Sequence, residues 1–409
     1  MSRDIASSVS SWELLQEIAR NNTSTRRVRR LGKSPSTAPI PSSVHKMPPD
    51  VVVPVLLYRD KNSWCPFCER VWFALEEKQI PFETEFIDLA NKPKWFTNLV
   101  PTALVPTAKI KGKLVYESKE ILLQLEEHFG KTLLPKQREE QTVARSWIEE
   151  AETNGLPAAG YKFLLQRHDN PDEVANNQAT FVAKLDELEQ TLAKYPGVYF
   201  LSTFSLVDIM YSPHLDRLAS CLPVYQGFSI RNHPRFPRIN AWLDAIYERP
   251  AYHRVKSDAI TNNLMFCRLW GAEPIANLPP LDPTVSTKLE YRAEAAERLS
   301  DNYEAAISDI LKNSGIKALF SSVGVSAVED AIDLHLRLVA AYLLHGDKVL
   351  LPWGKVGTKR ALEPFPSPSA VGAIALAYVR NRICAPRDMS AGAATAFRAA
   401  VDKVLASLY

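Results

Sequence analysis

The chain has 409 residues, of which 46% are hydrophobic, and its charged residues balance to a formal net charge of +3. This length suits two or three domains, and so small a net charge argues against a nucleic-acid or membrane surface as the main partner. The longest apolar stretches, near residues 338–344 and 371–379, fall well short of the ~18 residues that cross a bilayer, so we expect no membrane span.

Residues 1–50 differ in composition from the rest of the chain. They are rich in Ser, Thr and Arg, which is typical of an organelle transit peptide, although Asp4, Glu13 and Glu17 are unusual in one. A disordered or docking extension is the alternative. Five residues could also form one short amphipathic helix: Trp12, Leu14, Leu15, Ile18 and Ala19. We predict a leader or linker over 1–50, which leaves the location open between the cytoplasm and a plastid or other organelle stroma.

Residues 51–136 alternate between strand and helix patterns. Strands are predicted at 53–58, 82–87, 107–110 and 113–116, the last two forming a hairpin that turns at Lys111-Gly112. One helix follows a Cys-x-x-Cys motif after the first strand, and another begins at Ser118. This order predicts a thioredoxin-like α/β domain.

The remaining segments have helical patterns. Residues 139–272 form one predicted helical domain, and Ser205-x-x-Asp208 within it is a capping box, which we interpret as structural. After a proline-rich break at 274–283, a helical C-terminal extension covers 284–409. It is predicted to start with one amphipathic helix from Leu289 to Ile310. We find no catalytic constellation there and expect a cover for the helical domain or a docking module.

Cys65-Pro66-Phe67-Cys68 stands between the apolar run 53–58 and a helical pattern. A thiol is a nucleophile only as the thiolate, and the free N–H groups and positive dipole end of a helix start stabilise that anion. Pro66 suits the first helical position, where its missing N–H costs nothing. The motif therefore predicts Cys65 as a nucleophile at an exposed helix tip.

Zinc binding and a structural disulfide are the other uses of such a pair. Structural zinc usually takes four ligands in two close pairs, whereas Cys221, Cys267 and Cys384 have no His or Cys two to four residues away. Five scattered cysteines are not the framework of a disulfide-stapled secreted protein. We expect no metal, a reducing compartment, and a catalytic or redox role for the pair. The three other cysteines are predicted to be buried small apolar residues.

Several short blocks occur together in one order along the first half of the chain. They are Cys65-Pro66-Phe67, Glu69-Arg70, Asn91-Lys92-Pro93-Lys94-Trp95-Phe96, Leu104-Val105-Pro106, Tyr116-Glu117-Ser118 and Leu133-Leu134-Pro135. Through these blocks, and more weakly through Arg249-Pro250-Ala251, the chain resembles the cytosolic glutathione transferases, closest to their cysteine-type omega class. The resemblance covers about residues 51–268. It implies a thioredoxin-like domain, an all-helical transferase domain, glutathione as co-substrate and a homodimer as the family habit.

The resemblance also implies which residues contact glutathione. Val105-Pro106 should hold a cis peptide that turns the Val105 backbone toward the cysteinyl part of glutathione. Ser118 and the free N–H groups of its helix would receive the γ-glutamyl carboxylate, and Glu117 the ammonium group. Lys92 would meet the glycyl carboxylate. Phe67 completes the predicted glutathione-binding set.

Cys68 departs from the omega pattern, which usually has Ala at this position. The motif is thereby closer to that of glutaredoxins. If Cys68 can reach a mixed disulfide between Cys65 and glutathione, it can expel glutathione and form an internal disulfide. Cys65 and Cys68 are therefore the candidate catalytic residues, and a one-thiol and a two-thiol cycle both stay open.

A cysteine nucleophile suits a mixed disulfide better than it suits activation of glutathione, which conjugating transferases achieve with a Tyr or Ser hydroxyl. We therefore predict a glutathione-dependent thiol transferase or reductase acting on a disulfide, a dehydroascorbate-like electrophile or a glutathione conjugate. A conjugating transferase is one alternative. A non-catalytic binding or assembly protein that keeps the fold is another, supported by the extra helical block at 284–409. No phosphate-binding glycine loop is present in the sequence.

Overall fold

The protein is described from a computed structural model that covers residues 10–30, 53–130, 132–153, 155–349 and 367–408. The chain forms two compact units. Residues 33–279 form the central unit, and residues 1–32 together with 280–409 form the terminal unit. None of the helices within the described ranges is long and apolar enough to cross a membrane.

In chain order, the elements up to the proline-rich break are α1 (Trp12–Arg30), β1 (Val55–Asp60), α2 (Pro66–Lys78), β2 (Phe82–Ile87), α3 (Lys94–Leu99), β3 (Thr107–Ile110), β4 (Lys113–Tyr116), α4 (Ser118–His128), α5 (Arg138–Glu152), α6 (Leu156–Leu164), α7 (Pro171–Thr191), α8 (Leu206–Tyr225), α9 (Pro237–Tyr247), α10 (Tyr252–Val255) and α11 (Ala259–Trp270). After the break they are α12 (Pro283–Ser286), α13 (Leu289–Asp301), α14 (Tyr303–Asn313), α15 (Ile316–Leu319), α16 (Val325–His345), a 3₁₀ turn (Gly346–Lys348), α17 (Pro368–Arg382) and α18 (Ala391–Ser407).

The central unit begins with a four-stranded sheet in the order β2-β1-β3-β4. β1 and β2 are parallel, whereas β3 runs antiparallel to both of its neighbours. The predicted thioredoxin-like fold is thus confirmed. β1 starts two residues later than predicted, because Pro54 lacks the N–H that a strand pair needs. It also extends to Asp60, which pairs with Ile87 and is buried despite its charge.

Helices α5 to α11 complete the central unit as the all-helical domain that the sequence predicts. The capping box at the start of α8 is present: the Ser205 backbone N–H donates to Asp208 Oδ2 at 2.8 Å. The other oxygen of Asp208 accepts the indole N–H of Trp242 at 2.8 Å. Asp208 therefore caps α8 and joins it to α9 in the core, Ser205 completes the cap, and the role of both residues is structural.

Cys267 departs from the prediction that the isolated cysteines are buried. Cys221 and Cys384 are buried, as expected, but Cys267 is exposed. It lies in the last turn of α11, where residues 267–270 are all exposed although the preceding turns are largely buried. A free Cys is usually buried, so the position of Cys267 at the exposed end of the helix decides its exposure.

Helix α1 belongs to the terminal unit, and the leader or linker over residues 1–50 stays a prediction. Trp12, Leu15 and Ala19 are buried in the core of this unit. The Trp12 indole donates to Asp333 Oδ1 at 2.6 Å and stacks on Tyr303 with ring centroids 4.5 Å apart. The short amphipathic helix considered as an alternative is therefore present. Residues 1–9 and 31–52 lie outside the described residues.

The other described residues of the terminal unit are mainly helical, and its hydrophobic core is formed by α1 and by helices from α13 to α18. The predicted helix from Leu289 to Ile310 is two helices, α13 and α14. They separate at Asn302, whose backbone leaves the helical region and whose side-chain amide donates to the Arg298 carbonyl at 2.9 Å. Such local bonding is how Asn competes with helix propagation.

Candidate functional site

One edge of the sheet brings the predicted site segments together. Tyr58 pairs with Thr107, and Thr107 pairs with Tyr116, while Asp60 pairs with Ile87. The carboxyl ends of β1, β2 and β4 and the amino end of β3 thus share this edge. The predicted site residues lie in the segments that leave or enter it: Cys65, Lys92, Val105, Pro106, Glu117 and Ser118.

Cys65 is the residue at the start of α2, as predicted. Its backbone is extended, with φ −62° and ψ 118°, and Pro66 takes the first helical position. The Cys65 carbonyl accepts the N–H of Glu69 at 3.0 Å, which closes the first helical turn. The side chain is partly exposed. The candidate nucleophile is therefore reachable from solvent and lies at the positive end of the helix dipole.

Cys68 lies directly beside Cys65. The two residues approach to 3.6 Å, their side chains are hydrogen-bonded, and both cysteines are free. Cys68 is only 2% exposed. Burial, the hydrogen bond to Cys65 and the negative charges of Cys65 and Asp60 raise the pKa of Cys68 well above its usual value. Cys68 is thus a protonated thiol that can donate a hydrogen bond to a Cys65 thiolate.

The Val105–Pro106 peptide bond is cis, as the resemblance implied. It immediately precedes β3, so its position is set by the pairing of Thr107 with Tyr58. Pro106 is buried, and Val105 is partly buried against the small core of Tyr58 and its neighbours. The backbone of Val105 therefore has a defined position at the sheet edge.

Glu117 and Ser118 form the junction between β4 and α4. Glu117 has a φ of 68°, a conformation that non-glycine residues rarely adopt and that is concentrated at functional sites. Ser118 is buried at the first position of α4, and its hydroxyl accepts from Arg70 Nη1 at 3.4 Å. Arg70 also pairs with Glu152 at 2.6 Å. The predicted carboxylate-binding helix start thus has a buried guanidinium behind it, for which the sequence alone indicated no role.

Phe67 and Lys92 have the exposure that ligand contact requires. The Phe67 ring is 43% exposed and contacts His214 of α8, with ring centroids 5.1 Å apart. The Arg70 guanidinium carbon lies 5.0 Å from the centroid of the same ring. Lys92 is partly buried in the segment between β2 and α3.

A buried ion pair behind Cys65 is the main feature that sequence reasoning missed. Arg217 of α8 pairs with Glu69 of α2 at 2.7 Å, and both side chains are almost fully buried. Burial raises the pKa of Glu69 to about 7, although the charge of Arg217 acts in the opposite direction. The sequence signal is a charged residue inside the apolar pattern of 206–225, since Arg is rarely fully buried unless it is paired.

The raised pKa of Glu69 predicts how stability depends on pH. The folded protein binds this proton more tightly than the unfolded chain does, so the free energy of unfolding falls as pH rises from about 4.5 toward about 7. We expect Glu69→Gln to remove up to about 3 kcal/mol of this fall. Urea unfolding measured across this range checks it, with exposed Glu120→Gln as the control. Equal pH dependence in the wild type and Glu69→Gln would contradict the assignment.

Within the described ranges, no group of three or more His, Cys, Asp or Glu side chains is arranged to hold a metal ion. What the site offers chemically is a thiol nucleophile with a protonated thiol beside it. Next to it are a cis-proline backbone segment and a helix start that can receive a carboxylate.

Two family models match this chain. The glutathione S-transferase N-terminal domain matches residues 64–128, and the glutathione S-transferase C-terminal domain matches residues 171–245. Both matches fall in the central unit. The first includes Cys65 and Ser118, and the second includes α8.

Individual proteins show the same likeness. Protein IN2-1 homolog A of Oryza sativa subsp. japonica is 31% identical over 202 residues, which are 48% of this chain and 79% of that protein. Glutathione S-transferase L2, chloroplastic, of Arabidopsis thaliana is 29% identical over 47% of this chain and 64% of that protein. A solved structure of glutathione transferase Omega 3C from Trametes versicolor covers 51% of this chain and 91% of its own, with 25% identity and a TM-score of 0.45. The chain belongs to the glutathione S-transferase family, an enzyme family, as its motifs predict.

Proposed function

We propose that the protein is a glutathione-dependent thiol transferase or reductase that works through a mixed disulfide between Cys65 and glutathione. The observation that carries this proposal is the thiol pair at the start of α2. Cys65 is partly exposed at the positive end of the helix, with the protonated Cys68 thiol 3.6 Å away. This arrangement stabilises a thiolate, which attacks sulfur and other soft electrophiles.

In the proposed cycle, the Cys65 thiolate attacks the glutathione sulfur of a mixed disulfide substrate. The substrate leaves as its thiolate and takes up a proton, and Cys65 is left joined to glutathione. A second glutathione, as thiolate, then attacks the glutathione sulfur of this adduct. Oxidised glutathione leaves, and the Cys65 thiolate is restored.

The environment of Cys68 favours a one-thiol cycle. A resolving thiol must ionise to attack the mixed disulfide, and burial and the charge of Asp60 oppose ionisation of the Cys68 thiol even after Cys65 has lost its own charge to the disulfide. We assign Cys68 the role of hydrogen-bond donor to the Cys65 thiolate. It contacts the reacting sulfur without being oxidised itself.

The glutathione site is proposed from the residues at the shared sheet edge. The Val105 backbone, before the cis Pro106, would pair with the cysteinyl part of glutathione. The Ser118 hydroxyl and the N–H groups at the start of α4 would receive the γ-glutamyl carboxylate. Glu117, Lys92 and Phe67 keep the roles that the resemblance implies.

Ser118→Ala and Lys92→Ala are each expected to weaken glutathione binding by roughly 1–3 kcal/mol, because each removes a hydrogen bond to a charged group. Isothermal calorimetry with reduced glutathione measures the loss. Lys113→Ala is the matched control, since this exposed lysine begins β4 at the opposite end of the sheet. Unchanged binding in both Ser118→Ala and Lys92→Ala would show that the family's glutathione site is not kept.

A non-catalytic member of the family is the second candidate, favoured by the presence of a second compact unit, the terminal unit. Turnover separates the two candidates. A scaffold can bind glutathione but would not reduce hydroxyethyl disulfide or dehydroascorbate with it.

We further propose a plastid location, supported by the chloroplastic relative from Arabidopsis thaliana. Expression of the whole chain with a C-terminal fluorescent label tests this. Exclusion of the label from plastids in a plant cell would refute it.

A further inference from the structure

Trp64, the residue before the nucleophile, is hydrogen-bonded through every polar group it has. Its backbone N–H donates to Asp60 Oδ2 at 2.9 Å, and its indole N–H donates to Asn262 Oδ1 at 3.0 Å. Its carbonyl accepts two bonds from Arg217, from Nε at 2.8 Å and from Nη2 at 2.6 Å. The helical domain thus contacts the Cys65 segment through α8 and α11.

Arg217 itself is fully buried, and its N–H groups donate to two backbone carbonyls and one carboxylate. Besides the Trp64 carbonyl, it donates from Nη1 to the Pro213 carbonyl at 2.7 Å and from Nη2 to Glu69 at 2.7 Å. Burying a guanidinium has a large desolvation cost, and well-packed apolar residues often replace a buried ion pair at no loss of stability. Stability alone therefore gives little reason for an arginine here.

The carbonyl that receives Arg217 belongs to the peptide whose nitrogen is that of Cys65. Two bonds from one planar guanidinium fix the plane of this peptide. They therefore also fix the direction of the chain at Cys65, between β1 and α2. The bonds also place a positive charge close to the nucleophile, on the same side as the positive end of α2.

We propose that Arg217 is a positioning residue for the reaction: from the helical domain, it holds the Trp64–Cys65 peptide in the orientation that the Cys65 thiolate needs. The proposal rests on the proposed function only in taking Cys65 as the reacting group. Helix α8 would then position the Cys65 segment for the reaction in addition to packing in the core.

Other titratable groups surround Arg217, and their own ionisation must be distinguished from that of Cys65. They are Glu69 on α2, Tyr161 on α6, His214, Asp216 and Cys221 on α8, and Tyr252 on α10. The test therefore reads the reactivity of Cys65 directly. Cys267→Ser serves as the background, because Cys267 is exposed and would also react.

The decisive comparison is between Glu69→Gln and the double variant Glu69→Gln with Arg217→Met. The single variant keeps the two bonds to the Trp64 carbonyl, whereas the double variant removes them without leaving a buried carboxylate unpaired. We expect the single variant to behave like wild type. In the double variant, we expect alkylation of Cys65 by iodoacetamide at neutral pH to slow by about tenfold and its pH profile to move upward. We also expect kcat for disulfide reduction to fall by about as much, with KM for glutathione nearly unchanged.

A folded double variant, by circular dichroism, with an unchanged alkylation profile and kcat would overturn the proposal. If the double variant does not fold, Arg217→Lys decides, because lysine keeps the charge but cannot bond the carbonyl as a planar pair. Alkylation as fast as in the wild type would then overturn the proposal, and slower alkylation at unchanged Tm would support it. Wild-type protein that is alkylated normally but shows no turnover would refute the proposed function without affecting the role of Arg217.

Discussion

Cys65→Ser is expected to abolish glutathione-dependent reduction of hydroxyethyl disulfide while leaving the fold intact. The side chain is partly exposed at the start of α2, so the substitution removes the nucleophile and little packing. A serine hydroxyl does not form a mixed disulfide. The Cys65→Ser variant should therefore show no activity within the sensitivity of the assay. The coupled assay for oxidised glutathione measures the rate, and circular dichroism checks the fold.

Cys68 supplies the matched comparison. Cys68→Ser keeps a hydrogen-bond donor beside Cys65, whereas Cys68→Ala removes it. In a one-thiol cycle, Cys68→Ser should retain most of the turnover, and Cys68→Ala should lose more of it at neutral pH because the thiolate loses its donor. A loss in Cys68→Ser as severe as that in Cys65→Ser would mean that two thiols are required. Turnover in Cys65→Ser itself would exclude the mechanism.

Leu15→Ala is expected to destabilise the terminal unit by about 2–5 kcal/mol, the usual cost of emptying a leucine site in a core. Leu15 is 0% exposed in helix α1, where it packs with Trp12 and Ala19 against α13 and α16. Thermal unfolding followed by circular dichroism, with glutathione binding measured in parallel, tests this. Binding should be unchanged, because the glutathione site is proposed entirely from the central unit.

The neighbouring residue is the control. Leu14 belongs to the same helix but is 46% exposed, so Leu14→Ala should change stability by only a few tenths of a kcal/mol. Deletion of residues 1–32 should have a larger effect than Leu15→Ala, because it exposes an apolar face of the core. We expect the terminal unit either to aggregate or to unfold without a cooperative transition. If deletion leaves the unfolding profile unchanged, α1 is dispensable, and that result would favour a removable leader.

Much of the candidate site could be predicted because its signals are local. A thiol before a proline at a helix start, a Val-Pro pair before a strand, and a Glu-Ser pair at a second helix start each act over a few residues. Strand pairing brings these short segments to one end of the sheet. Their grouping into one site was expected from the family resemblance, whereas the order of strands and helices predicted the fold that positions them. The hairpin of β3 and β4 and the capping box of α8 follow from the same kind of short-range chemistry.

The sequence by itself determined the family and the thioredoxin-like order of the central unit, and it made Cys65 the candidate nucleophile, because spacing and helix starts are local properties. Only the tertiary structure decided which buried charges meet. Arg217 reaches the carbonyl before Cys65 from a position 153 residues later, and Trp12 bonds to Asp333 across 321 residues. A charged or aromatic residue in an apolar pattern shows that a partner must exist, since burying it alone is costly. Which partner it finds depends on the path of the whole chain, and no spacing along the sequence records that path.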